Sequence, residues 1–125
     1  MNLEHKHGPV WIQQFVSGNI TANQVLLRLQ NNTDNVWYVN RLRIIQSVSN
    51  NNAQTGFRIE VLNENTTAQD PAVGQDFDFT ANTRVFTLNF TTPIVVRPRQ
   101  ILNVRAGGVI NGTAPANPLT SVLLT

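Results

Sequence analysis

Alternation of apolar and polar residues, the signature of half-buried strands, recurs along the chain between clusters of turn-forming residues. Residues 10–16 carry Val10, Ile12 and Val16 on one parity and Trp11 and Phe15 on the other, which predicts a strand buried on both faces or covered by another chain. After the Gly18-Asn19 turn signal, residues 24–30 place Val25, Leu27 and Leu29 on one face against Arg28 and Gln30 on the other. Asn31 to Asn35 is a polar break, since Asn and Asp form Asx-turns and tolerate left-handed φ.

Residues 36–49 form the longest extended segment, with Val36, Tyr38, Leu42, Ile44 and Val48 sharing a face while Arg41 and Arg43 point the other way. Residues 57–62 alternate as cleanly, with Phe57, Ile59 and Val61 opposing Arg58 and Glu60. A hairpin with Val48 opposite Phe57 would put these apolar residues on one sheet face and Arg43 diagonal to Glu60. Residues 63–75, with Pro71, Gly74 and little periodicity, read as the longest loop. Strands follow over 76–79, over 84–90 with Phe86, Leu88 and Phe90 inward, over 94–96 behind Pro93, over 101–105 and over 119–124, with a turn at Arg97-Pro98-Arg99-Gln100. No segment has helical spacing. Short strands in this number predict an all-β antiparallel β-sandwich over residues 9–125, preceded by an extended polar arm, residues 1–8. Long polar loops and an even strand number favour a jelly roll of eight or so strands.

Composition changes the picture in one respect. Among 125 residues, Asn, Gln and Thr number 17, 9 and 13, whereas only 16 residues are charged, so the surface is built from neutral hydrogen-bonding groups. Eight of the nine basic residues are arginine, the net charge is only +2, and no basic run occurs, which argues against tracking a nucleic-acid backbone. Arginine in place of lysine suits ordered protein interfaces. The absence of cysteine excludes disulfides and thiolate chemistry within the chain. No stretch approaches the roughly 18 apolar residues of a membrane helix or resembles a secretory leader, so no membrane contact and cytoplasmic synthesis are expected. Five Asn-x-Thr sequons begin at Asn19, Asn31, Asn65, Asn89 and Asn111, and composition alone accounts for them.

Candidate chemistry is sparse. His5 and His7 flank Lys6 beside Glu4 with no third metal ligand at a recognisable spacing, and none of Ser17, Ser47, Ser49 and Ser121 sits in a nucleophile turn. Asp76 and Asp78 share a strand face about 7 Å apart, but they alternate with Phe77 and Phe79 as the solvent side of an amphipathic strand would. With Asp70 and loop carbonyls they could also make an oxygen-rich calcium site, the weaker expectation. Gly107-Gly108 lacks the lysine of a phosphate loop. Trp11, Trp37 and Tyr38 could stack on sugars, yet Trp37 and Tyr38 must face opposite sides of their strand. Neither a catalytic, a metal nor a cofactor site is therefore expected.

The segment FTLNFTTPIVVRPRQILNVRAGG, Phe86 to Gly108, runs strand, Pro-started strand, short turn, strand and small residues. It resembles small jelly-roll structural proteins of bacteriophage virions, such as capsid decoration proteins, over about a fifth of the chain, although its turn reads Pro-Arg where Pro-Gly is more familiar. The resemblance implies a non-enzymatic virion subunit, a homotrimer holding to its own copies and to a capsid protein, and it carries over no individual residue. From the residues themselves, Trp11, Phe15, Arg41, Arg43 and Arg58 are the candidate protein-interface positions, and the arm is expected to lie across a neighbour. A carbohydrate- or receptor-binding sandwich is the alternative.

Overall fold

The computed structural model describes residues 9–47, 55–64, 69–78, 84–110 and 116–125, and for residues 55, 69–78 and 108–110 the backbone alone. The expected arm, residues 1–8, lies outside the described residues, as does Val48, expected opposite Phe57. Eight strands are present among those described: β1 Val10–Phe15, β2 Val25–Gln30, β3 Trp37–Ser47, β4 Thr55–Leu62, β5 Gln69–Asp78, β6 Val85–Val96, β7 Ile101–Ile110 and β8 Ala116–Leu124. They form two antiparallel four-stranded sheets, ordered β1-β8-β3-β6 and β2-β7-β4-β5. Of the seven strand-to-strand steps along the chain, only β4 to β5 stays within a sheet, and the other six cross. Eight strands wound back and forth between two sheets in this order are a jelly roll, so the expected fold class holds.

Strands β2, β3, β4, β7 and β8 each give one face to the space between the sheets. Leu26 and Leu27 of β2, Val39, Leu42 and Ile44 of β3, Phe57, Ile59 and Val61 of β4, Leu102, Val104 and Ala106 of β7 and Val122 of β8 fill it, and all are buried. The apolar residues of β3 and β4 do share a core, but not as a hairpin. β3 pairs with β6 and β8, β4 pairs with β5 and β7, and their apolar faces look at each other across the sandwich. Alternation fixes which face of a strand is buried and leaves its partner open.

Two bulges explain where alternation misplaces a residue. In β2 the register shifts between Val25 and Leu27, so Leu26 and Leu27 are both buried while Val25 is exposed. In β3 the shift falls between Val39 and Arg41, so Val39 joins the core and Tyr38, expected on the Leu42 face, is exposed. On the β6 side of the same bulge, pairing jumps from Asn89 to Ile94. The irregular stretch contains Pro93, so residues 84–90 and 94–96 belong to one edge strand rather than two. Much of the expected loop 63–75 is likewise the edge strand β5, where Pro71 is tolerated because a ladder runs along one side only.

At one end of the sandwich the loop from β2 to β3 and the turn from β6 to β7 are joined by Asn31. This side chain is fully buried, and its Nδ2 donates to the carbonyls of Asn35 at 2.8 Å and Val96 at 3.0 Å. Its Oδ1 accepts from the Thr33 amide at 3.1 Å and from the Thr33 hydroxyl at 2.6 Å. The Asn31-Asn32-Thr33 sequon is thus an Asx-turn whose amide is occupied. The backbone joins in: the Asn31 amide donates to the Gln100 carbonyl and the Arg99 amide to the Asn31 carbonyl. Between them, Gln100 N donates to the Arg97 carbonyl at 3.0 Å, closing a turn with Pro98 at its second position and Arg99, φ +75°, at its third. That third position normally calls for glycine.

Asn31→Ala would leave the Val96 carbonyl and the Thr33 amide without these partners, at about 1–3 kcal/mol for each buried group, and chemical denaturation should show a loss of about 3 kcal/mol. At Arg99, valine should cost about 1–2 kcal/mol because a β-branched residue resists left-handed φ, whereas Arg99→Gly should leave stability within about 0.5 kcal/mol, the relief of strain offsetting added chain entropy.

Candidate functional site

The outward face of the first sheet is assembled by register from all four of its strands. Phe15, Leu119, Ile45 and Val85 stand opposite one another across β1, β8, β3 and β6. The next row is Gln13, Ser121, Arg43 and Thr87, and the one after it Trp11, Leu123, Arg41 and Asn89. Neighbours within a row lie about 4.5–5.5 Å apart at Cβ. The first row is apolar throughout and open to solvent: Phe15 is 61% exposed, Val85 52% and Ile45 37%.

The two arginines of this face have no acidic partner among the described residues, and strands β1, β3, β6 and β8 contain no carboxylate at all. Arg41 donates from Nε to Asn89 Oδ1 at 2.6 Å, and Arg43 lies over the Trp11 ring at 5.4 Å from its centroid, a cation–π contact. Both guanidinium groups are thus contacted by neutral neighbours.

β1 was expected to be buried on both faces. It is an edge strand paired to β8 alone, with only Ile12 packed against the core, so of the two expectations the first is corrected and its apolar side chains stand exposed. A side chain of β1 covers part of the free edge of β2 in the other sheet. Gln14 accepts from the Arg28 amide at 3.0 Å and donates to the Arg28 carbonyl at 3.2 Å, so one carboxamide does for β2 what a neighbouring strand would do.

Of the five interface candidates, Trp11, Phe15, Arg41 and Arg43 come together on this face. Arg58 does not. It lies on the outward face of the second sheet, on the other side of the sandwich, and Arg43 is accordingly not diagonal to Glu60. Arg58 Nε instead donates to Glu60 Oε2 at 3.1 Å, while Glu60 Oε1 accepts from Arg105 Nε at 3.1 Å and Asn103 Nδ2 at 2.9 Å. Glu60, which alternation assigns to a solvated face, is only 6% exposed beneath these neighbours. Its environment became visible only with the β4–β7 register, which sets Glu60 opposite Asn103 and Arg58 opposite Arg105.

Burial raises the Glu60 carboxyl, but hydrogen bonds from Asn103 and Arg105, the charge of Arg105 and the bond from Arg58 outweigh it and hold the group below the ordinary glutamate value of 4.5. A depressed folded-state value means stability that is present above the unfolded value and lost as pH falls through the folded one.

The other candidates stay apart from any site. His5 and His7 lie outside the described residues, and among those described no three His, Cys, Asp or Glu side chains come together to hold a metal. Asp76 and Asp78 stand on β5 opposite Arg58 and Gly56, with Asp70 near the start of the same strand. Trp37 packs against the core while the adjacent Tyr38 is exposed. No helix among the described residues is long and apolar enough to cross a membrane.

No protein-family model matches the sequence, and no curated protein is significantly similar to it. Among solved structures, one described as "Structure of infectious bursal disease virus Gx strain" superposes at a TM-score of 0.41 with 10% identity, over 91% of this chain and 32% of the other. The chain thus spans about a third of the length of that neighbour, a chain from a virus structure with 10% of residues in common.

Glu60→Gln should lower stability by about 1–3 kcal/mol at neutral pH, since two guanidinium groups lose their carboxylate. Denaturation measured from pH 7 downward should show the difference from wild type shrinking below about pH 4.5, where the wild-type carboxylate is itself titrated.

Proposed function

We propose that this chain is a non-enzymatic structural subunit of a virus particle, a bacteriophage capsid decoration or stabilising protein that works by burying surface against its own copies, as a homotrimer, and against a shell protein of the virion. The observation that carries the reading is the outward face of the first sheet, with a solvent-open apolar row beside two arginines that lack carboxylate partners. Apolar stretches of this kind rimmed by arginine and polar groups mark protein contact surfaces. A jelly roll serves many functions, so the fold lends support by analogy only. Synthesis would be in the host cytoplasm and the working location the virion. No cofactor is called for, and two separated arginines supply too little clustered charge for a nucleic-acid partner.

A glycan-binding role is the second reading, favoured by the exposure of Trp11 and Tyr38. Against it, Arg43 occupies one face of the Trp11 ring, the surface on which a sugar would stack.

Co-sedimentation with particles from the native source, run beside a glycan array, separates the two. The subunit reading predicts stoichiometric retention on the particle and a blank array, with Phe15→Lys/Ile45→Lys reducing retention at least tenfold while the β spectrum persists. Failure to bind the particle together with millimolar or tighter binding of one glycan class would overturn it.

A further inference from the structure

Charge is divided unevenly between the two sheets. The strands of the first sheet hold Arg41 and Arg43 and no acidic residue. In the second sheet, Glu60 is occupied by Arg58 and Arg105, and the edge strand β5 carries Asp70, Asp76 and Asp78, with Asp76 opposite Arg58, so that β4 and β5 together hold one basic and four acidic residues. Glu64, just beyond β4, is exposed. Every copy therefore combines a partly apolar sheet face whose strands are basic in composition with an edge pair of strands that is acidic in composition.

We infer that the outward face of the first sheet, Arg41 and Arg43 beside the row Phe15, Leu119, Ile45 and Val85, receives the acidic β4–β5 edge of a second copy, so that copies join head to tail. The inference rests on the reading of the chain as an assembly subunit and names the contact through which it would assemble. Complementary charge selects this occupant: two copies meeting arginine face to arginine face would bring like charges together, while a heterologous contact pairs each arginine face with carboxylates. The apolar row crosses four strands, about 14 Å at the usual strand spacing, and an edge laid across it shields all four of its side chains. Pro71 within β5 has no N–H for a ladder, so the edge meets a face rather than extending a sheet. A head-to-tail contact closes into a ring where the rotation between copies permits.

Analytical ultracentrifugation of the full chain tests this with wild type, Arg41→Glu/Arg43→Glu, Asp70→Lys/Asp78→Lys and an equimolar mixture of the two variants, each checked for its β spectrum. Wild type should associate in 0.1 M salt and dissociate toward 1 M, where the screening length falls to about 3 Å. Each variant alone should associate at least tenfold more weakly, and the mixture should recover association, because the reversed face of one meets the reversed edge of the other. If a charge-reversed chain fails to fold, Arg41→Gln/Arg43→Gln and Asp70→Asn/Asp78→Asn should each weaken association as neutral substitutes. Weakening by the arginine variant alone, with the aspartate variant unaffected, would overturn the second copy as occupant. A wild-type monomer that is still retained on native particles would overturn this contact and leave the subunit reading standing; a monomer that is not retained would remove both.

Discussion

The side-chain amide of Asn31 holds together the end of the sandwich where the chain twice passes from one sheet to the other. It belongs to neither core, yet it is fully buried and uses both its oxygen and its nitrogen: the oxygen folds its own loop through Thr33, and the nitrogen reaches Val96 at the end of β6. The backbone of the same residue then meets the Arg97 to Gln100 turn from both sides. Apolar burial favours any stacking of two greasy faces, and a polar group that must find several partners at once allows few. Here that requirement fixes how β2, β3, β6 and β7 meet, and the tolerated strain at Arg99 is a consequence of it.

The remaining architecture follows from the buried faces of β2, β3, β4, β7 and β8. Val39, Leu42 and Ile44 from one sheet and Phe57, Ile59 and Val61 from the other fill a common space. What lies outside that space differs between the sheets. On the second sheet a buried carboxylate, Glu60, is enclosed by Arg58, Arg105 and Asn103, so this one charge is met within the face. On the first sheet the arginines rest on Trp11 and Asn89, and an apolar row stands open. Among the described side chains, the arginines of the first face are thus the ones whose neighbours are neutral.

Much of this could be read from the chain. The alternation over Phe57 to Leu62 names three core residues and two outward ones; of the interface candidates Trp11, Phe15, Arg41, Arg43 and Arg58, the sequence could not show that the first four share a sheet and Arg58 does not. Partnership was not legible, because alternation carries no information on which strand lies alongside; β3 and β4 read equally well as a hairpin and as opposing strands. Nor could spacing reveal an inserted residue, so the bulge beyond Val39 reversed the fate of Tyr38. Edge strands were hardest to see. β5, paired on one side only, needs little hydrophobic alternation and hid behind Pro71 and Gly74. The burial of Glu60 depends on a non-local register and has no local signature.

The central claim, that the outward face of the first sheet is where this protein meets its assembly, is tested most directly by hydroxyl-radical footprinting of the free chain and of the assembled particle. Phe15, Trp11, Ile45, Leu119 and Val85 should be labelled when the chain is free and strongly protected in the assembly, while Val25 on the second sheet changes less. Undiminished labelling of Phe15, Ile45 and Val85 in the assembled particle would contradict the account.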